Sequence, residues 1–376
     1  MLNLEYQMCT RTVMDTTDPD ISFDKMGECH YCEKFDNFIS KNWFPNKEGE
    51  RKIKEIVSKI KYEGKNKKYD CIIGLSGGVD SSYLAYKASQ LGLRILAVHV
   101  DAGWNSELAV KNIQNIVTKC GIDLYTHVVD WEEMKDVQRA FFKAGVANQD
   151  TPQDHAFFAA LYTYAIKNNI QWVLHGGNIA TESILPEAWG YSAMDGKHLR
   201  AVHKLFGEKR RLKNYPVISF FKYQFYFPFV RKMKVARLLN YMPYDKDEAI
   251  SVLEKEVGFT YYGGKHHESR FTKFFQSYYL PEKFGYDKRK AHLSSMILAG
   301  SCTREEALEE LRKSPYDPST IEGDIEYVAD KLGFSLNEFK KIIDQPKHSY
   351  KDYPNNESLV KAKVKLNQFL KRKGIR

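Results

Sequence analysis

Residues 71–85 read CIIGLSGGVDSSYLA. A short apolar run enters a turn, and a helical pattern leaves it. Gly77 and Gly78 let the backbone take conformations closed to other residues and approach a ligand closely. The helix that follows turns unpaired N–H groups and a positive dipole end to the same spot. Ser76, Ser81 and Ser82 add hydroxyls, and Asp80 adds a carboxylate able to hold Mg²⁺ or to orient the loop. A turn that only caps a helix needs one glycine and one cap, whereas SGGVDSS supplies two glycines, three hydroxyls and an acid. The stretch is therefore expected to cradle phosphate oxygens. It lacks the GxxxxGK[ST] pattern, which sets aside the ordinary mononucleotide loop with its lysine.

Outward from this turn, YDCIIGLS, RILAVHVD, DLYTHVVD and QWVLHGGN read as strands with apolar content too continuous for a sheet wet on one face. Stretches starting at Ser81, Ser106, Glu132 and Asp154 are long enough for crossover helices. The order predicts an α/β fold with a doubly wound parallel sheet, whose ligands sit outside the carboxyl ends of the strands. Two further strand exits fit such a site: Asp101 with Gly103, and Gly176, Gly177 and Asn178 in LHGGN. Each also suits a plain strand-exit turn.

The boundaries expected are 1–45 for a cysteine-rich arm, 46–245 for the nucleotide-binding domain and 246–376 for a helical C-terminal region. In the last, DKDEAISVLEKEVG opens on acidic residues and stops at Gly258, and Thr303 with Glu306 forms a capping box ahead of Pro315.

The chain of 376 residues carries a formal charge of +9, which suits a protein that handles phosphates without saying whose. Its basic clusters at Lys209–Lys213, Lys283–Lys290 and Lys371–Arg376 also read as solvated faces. No apolar run approaches a membrane span and no secretory signal opens the sequence, so a cytoplasmic protein is expected. Six cysteines are few for this length and point to reduced thiols or a metal site. Cys71 and Cys120 read as core. Cys9, Cys29 and Cys32 have the spacing of a zinc ribbon that lacks one member, because position 12 is Thr12. A histidine, Cys302 or solvent would complete it, and His30, lying between the pair, is poorly placed.

SGGVDSS resembles the pyrophosphate loop of the PP-loop ATP pyrophosphatase superfamily (adenine nucleotide alpha hydrolase-like), which includes GMP synthetase, NAD synthetase and the tRNA thiolases. Most of the chain, to about Leu311, resembles one family within it: the N-acetyl sugar amidotransferases of lipopolysaccharide and O-antigen biosynthesis. The resemblance rests on CTRTVMDTTDPDISFD with CHYC, on GLSGGVDSSYLA, TPQDHAFFAALY and LHGGNIATES, and on the run from YYGGKHHESR to AGSCTREEAL. Many relatives carry cysteine where Thr12 stands.

The resemblance implies ATP, Mg²⁺ and Zn²⁺ as cofactors. It implies that AMP passes to the acetamido oxygen of a nucleotide-linked sugar such as a UDP-diacetamido uronic acid, and that ammonia then displaces AMP. Cys302 lacks the sharp elbow of a glutaminase nucleophile, so ammonia is expected from a separate glutaminase subunit, with a channel-forming partner beside it. In GGKHHESRFTK, Lys265 and His267 join Asp80 as expected catalytic residues, while His266, Glu268 and Arg270, with Asp154 and His155 of PQDHAFF, are expected to bind substrate. Gln153, Lys288, Arg289 and His292 are nearby candidates. The rival reading is a tRNA-modifying sulfur transferase whose three thiolates hold an iron–sulfur cluster; a non-catalytic scaffold for the glutaminase is a further alternative. No membrane partner is expected, and a nucleic acid is disfavoured.

Overall fold

The computed structural model describes residues 5–263 and 269–372. Five strands form one wholly parallel sheet: β1 (Cys71–Gly74), β2 (Ile95–Asp101), β3 (Asp123–Val128), β4 (Trp172–Leu174) and β5 (Lys234–Ala236), in the order β3-β2-β1-β4-β5. The chain winds outward from β1 to β2 and β3, then returns to the other side of β1 for β4 and β5. The switch point thus falls between β1 and β4, where crossovers on opposite faces part and leave a crevice. The SGGVDSS turn and the LHGGN turn both emerge there.

The crossover helices lie where periodicity puts them, with ends set by local chemistry. Val79–Gln90 leaves the glycine turn directly. Ser106 caps Glu107–Cys120, which ends on Gly121 in the left-handed conformation, and Asp130 caps Trp131–Ala144. Thr151–Lys167 carries Pro152 in its first turn, as a helix start permits.

β3 departs from the expected burial. It is an edge strand, with Asp123, Tyr125, Thr126 and Val128 exposed, so the apolar run there reflects β propensity rather than coverage on both faces. β5 is too short to stand out in the sequence.

The helical region after residue 245 shares its core with the sheet. Helix Lys246–Val257 is capped by Asp245 and Gly258 and buries Ala249, Leu253 and Val257 in one cluster with Ile73 and Leu75. Phe271 and Phe339 meet Phe142 of the crossover helix edge-on, at ring separations of 6.1 and 5.1 Å. The capping box of Thr303 and Glu306 forms, and its helix runs Arg304–Arg312.

Among the described residues the arm has little regular structure: the bridges Met8 to Asp15 and Phe23 to Cys29, and a run of short helical segments from His30 to Asn42. It is docked by contacts to later helices. Val13 N donates to Ser294 Oγ at 3.2 Å, Lys290 pairs with the buried Asp15, and Arg304 donates to the carbonyls of Thr12 and Cys9, each at 3.1 Å. Cys9, Met14, Cys29, Tyr31, Cys32 and Phe35 form one apolar cluster with Ile184, Trp189, Ala291 and Leu298.

Candidate active site

The glycine turn is held by its own hydroxyls. Ser76 Oγ and Ser81 Oγ lie 3.1 Å apart, Ser76 Oγ accepts from Gly78 N at 3.2 Å, and Ser81 Oγ donates to Gly78 O at 3.2 Å. Gly77 has φ +84°, and a Cβ there would stand 2.6 Å from the carbonyl oxygen of Ala109. Only glycine fits both the conformation and the space. Gly176 brings the second turn against the first: a Cβ on it would lie 3.4 Å from Ser81 N. Asn178 Oδ1 accepts from Thr181 N at 3.0 Å, leaving its Nδ2 buried without a partner, and Ser82 Oγ is likewise buried and unpartnered. Two orphaned polar atoms beside helix starts, where two glycine turns approach each other closely, fit a phosphate-bearing ligand.

Around this turn, the Tyr244 hydroxyl donates to Asp80 Oδ1, and the Tyr262 hydroxyl accepts from Val79 N at 3.1 Å. Asp101 Oδ1 accepts from Gly103 N at 2.8 Å, which shapes the exit of β2. His175, directly after β4, accepts from Gly177 N at 2.9 Å; burial, with help from Arg237, holds its imidazole down at about 4, so it is neutral at physiological pH. Arg237 follows β5 and is exposed, and its guanidinium takes no hydrogen bond or ion pair among the described residues. Sequence reasoning missed this cation because it missed β5.

The three candidates at the start of helix Thr151–Lys167 separate. His155 is fully buried, with Nδ1 on Ala193 O at 2.7 Å and Nε2 accepting from Ile218 N at 2.9 Å. Both ring nitrogens are occupied by backbone, and burial lowers its pKa. Gln153 donates to Asp150 and to Thr272 Oγ1, and the Asp150 carboxylate also takes Thr272 Oγ1 at 3.2 Å and Gln276 Nε2 at 3.3 Å. Asp154 lies one turn before Phe157 and Phe158, which pack against Gly74 and His175 at the ends of β1 and β4. Burial and the Asp150 charge push the Asp154 carboxyl up to about 7, against the pull of Lys288.

Arg270 is engaged elsewhere. Its guanidinium pairs with Asp324 at 2.6 Å, donates to Gly323 O at 2.9 Å and covers the Tyr327 ring. Arg289 is tied to Asp287 and to the carbonyls of Glu310 and Lys313. His292 meets Thr181 O at 3.1 Å, which lays helix Lys288–Ala299 along the LHGGN wall. Lys265, His266, His267 and Glu268 lie outside the described residues. The flanks of that stretch are both at the strand ends: Tyr262 touches the glycine turn, and Ser269 bridges Asn105 just beyond β2.

Two family profiles match. Residues 70–163 match the family described as queuosine biosynthesis protein QueC, and residues 268–367 match the C-terminal domain of the LPS biosynthesis protein WbpG-like family. The chain thus joins a region similar to a PP-loop ATP pyrophosphatase to a WbpG-like C-terminal domain. The PP-loop ATP pyrophosphatases are a superfamily of ATP-using enzymes. The QueC match contains the glycine turn, and the WbpG-type match contains the helix that walls it.

A tRNA(Ile)-lysidine synthase from Chlamydia pneumoniae is 28% identical over 116 residues, 30% of this chain and 34% of that protein. The matched part thus spans about a third of the curated relative. Similar solved structures include an NH3-dependent NAD synthetase from Campylobacter jejuni (16% identity, TM-score 0.28, covering 35% of this chain and 58% of that one). An NAD+ synthetase from Burkholderia pseudomallei (18%, TM-score 0.30) covers 60% and 93%, and an NMN synthetase from Francisella tularensis (17%, TM-score 0.29) covers 57% and 94%. No described helix is long and apolar enough to cross a membrane.

The fold also brings Cys9, Cys29 and Cys32 together, with all three residues buried and their sulfurs within 4.8 Å of one another. Cys32 Sγ is 3.7 Å from both Cys9 Sγ and Cys29 Sγ. Four sulfurs at about 2.3 Å from one metal are about 3.8 Å apart, so the group fits a single tetrahedral ion. An iron–sulfur cluster shares three thiolates over at least two irons and so holds some of the sulfurs further apart, which this spacing does not match. His30, which accepts from Ser22 N through Nδ1, and Cys302, which donates to Thr303 O, both lie outside the group of close ligand atoms.

Proposed function

We propose that the protein is an ATP-dependent amidotransferase that turns the acetamido group of a nucleotide-linked sugar, such as a UDP-diacetamido uronic acid, into an acetamidino group for surface-polysaccharide biosynthesis. The observation that carries this reading is the WbpG-type C-terminal domain laid along the phosphate turn, with helix Lys288–Ala299 against Thr181 and Ile184. The part of the chain that sets this family apart faces the place where ATP is opened.

In the proposed reaction the acetamido oxygen attacks the α-phosphorus of ATP and the bond to pyrophosphate breaks. Ser76, Gly77, Gly78, Asp80, Ser81 and Ser82 hold the pyrophosphate and its Mg²⁺, and Asp101, Gly176 and Gly177 wall the nucleotide. Ammonia then forms a bond to the imidate carbon, sheds a proton, and AMP leaves with the oxygen. Asp154, a carboxylate poised to take a proton near neutral pH, is assigned that proton. Lys265 and His267 are assigned, with Asp80, to the chemistry, and His266 and Glu268 to substrate recognition. Ammonia is supplied by a separate glutaminase subunit, with a channel-forming partner, in the cytoplasm. The cysteine group holds Zn²⁺ as a structural element.

Mass spectrometry of a UDP-diacetamido uronic acid incubated with protein, ATP, Mg²⁺ and ammonium tests the reading. Exchange of O for NH lowers the sugar's mass by about one unit and yields one AMP per turnover. The tRNA(Ile)-lysidine synthase likeness favours one other reading, modification of tRNA. ATP cleavage that depends on tRNA and ignores every acetamido sugar would establish that one instead.

A further inference from the structure

The fourth corner of the cysteine group is not empty of protein. Thr12 is completely buried, and its Oγ1 stands 3.7 Å from Cys29 Sγ. In a tetrahedron with sulfur at about 2.3 Å and oxygen at about 2.1 Å from the metal, that edge is about 3.6 Å. Thr12 N donates to Cys9 Sγ at 3.4 Å, as does Cys29 N at 3.2 Å. The two short segments therefore present matched pairs, Cys9 with Thr12 and Cys29 with Cys32, each three residues apart and each closing on the same point.

We infer that the arm binds one divalent, zinc-like ion through three thiolates and the hydroxyl of Thr12. A neutral alcohol is a weaker ligand than thiolate, so the site trades tight retention for an exchangeable corner. Three thiolates and a divalent ion leave one net negative charge. Arg304, whose guanidinium donates to the carbonyls of Cys9 and Thr12, and the two N–H groups on Cys9 Sγ are placed to offset it. The same Arg304 starts the helix Arg304–Arg312, and Val13, next in sequence, is bonded to Ser294. Metal occupancy is thereby coupled to docking of the arm on the helix that walls the phosphate turn. The inference rests on the cysteines as a metal site and is independent of the sugar chemistry.

The test uses the full chain loaded with Co²⁺ and then challenged with a chelator. The cobalt form should show a tetrahedral visible spectrum with a charge-transfer band of three-thiolate intensity. Thr12→Cys should raise that band by about a third and slow metal release at least about tenfold. Thr12→Val should release metal about tenfold faster, and Thr12→Ser should behave as the native chain, which separates loss of the hydroxyl from damage to the fold. Cys302→Ala should leave the spectrum unchanged. A native spectrum of four-thiolate intensity, an octahedral spectrum, or a Thr12→Val protein that holds metal as well as native would each overturn the inference.

Discussion

Asp154 shows how one side chain can be costly to the fold and useful to the site. Its carboxyl is raised to about 7 in the folded chain by burial and Asp150, against about 3.9 when unfolded. The group is ionised in both states above pH 7, and folding then bears the desolvation of the charge. Between pH 7 and pH 4 the folded chain holds the extra proton, so stability rises as pH falls through that window; below it the two states are again alike. Asp154→Asn should therefore be more stable than native at pH 8, by about 1–2 kcal/mol after allowance for partial exposure, with the gap closing towards pH 4. Thermal unfolding at both pH values measures this. In the proposed reaction the same variant should lose the limb of the rate profile that rises through pH 7, while still releasing pyrophosphate when ammonia is saturating. A variant that is less stable at pH 8 would mean that the carboxylate is compensated in the fold.

At the scale of elements, β1 with its turn was the most legible part of the sequence, because apolar run, glycine pair and helix start agree. Gly77→Ala should lower stability by about 1–3 kcal/mol, from a left-handed φ and a clash with the Ala109 carbonyl. Calorimetry with a pyrophosphate-release assay would show both losses, and retention of ATP turnover would deny the turn its role. β5 was illegible: three residues, Lys234–Ala236, carry too little pattern, and Arg237 was lost with it. His155 was legible as a residue but not as a contact, since the carbonyl of Ala193 and the amide of Ile218 that occupy it come from distant loops.

A similar long-range strap appears at Asn112, whose side chain takes both N–H and C=O of Thr260, each at 2.9 Å, and so steers the chain toward Tyr262 and the glycine turn. Asn112→Ala leaves two backbone groups unpaired and should cost about 1–3 kcal/mol. Because Tyr262 holds Val79 N, the ATP concentration for half-maximal activity should change more than the unfolding midpoint alone would suggest.

At the scale of the whole molecule, the sequence divides into three textures but the fold does not divide with them. The arm has too little apolar content for a core of its own and borrows one from Ile184, Trp189, Ala291 and Leu298. Trp189 is the centre of that shared core, 1% exposed and stacked on Tyr286 with ring centroids 5.3 Å apart. Trp189→Ala should cost about 3–5 kcal/mol, the usual range for emptying a buried aromatic site. The informative result is where the loss appears. If arm and sheet share one cooperative unit, amides of residues 9–35 and of helix Lys288–Ala299 should lose hydrogen-exchange protection together, and the unfolding transition should stay single while moving down by several degrees. Loss confined to the arm, with the helix still protected, would show instead that the arm is an appendage, and the coupling between the metal corner and the phosphate turn would have no physical carrier.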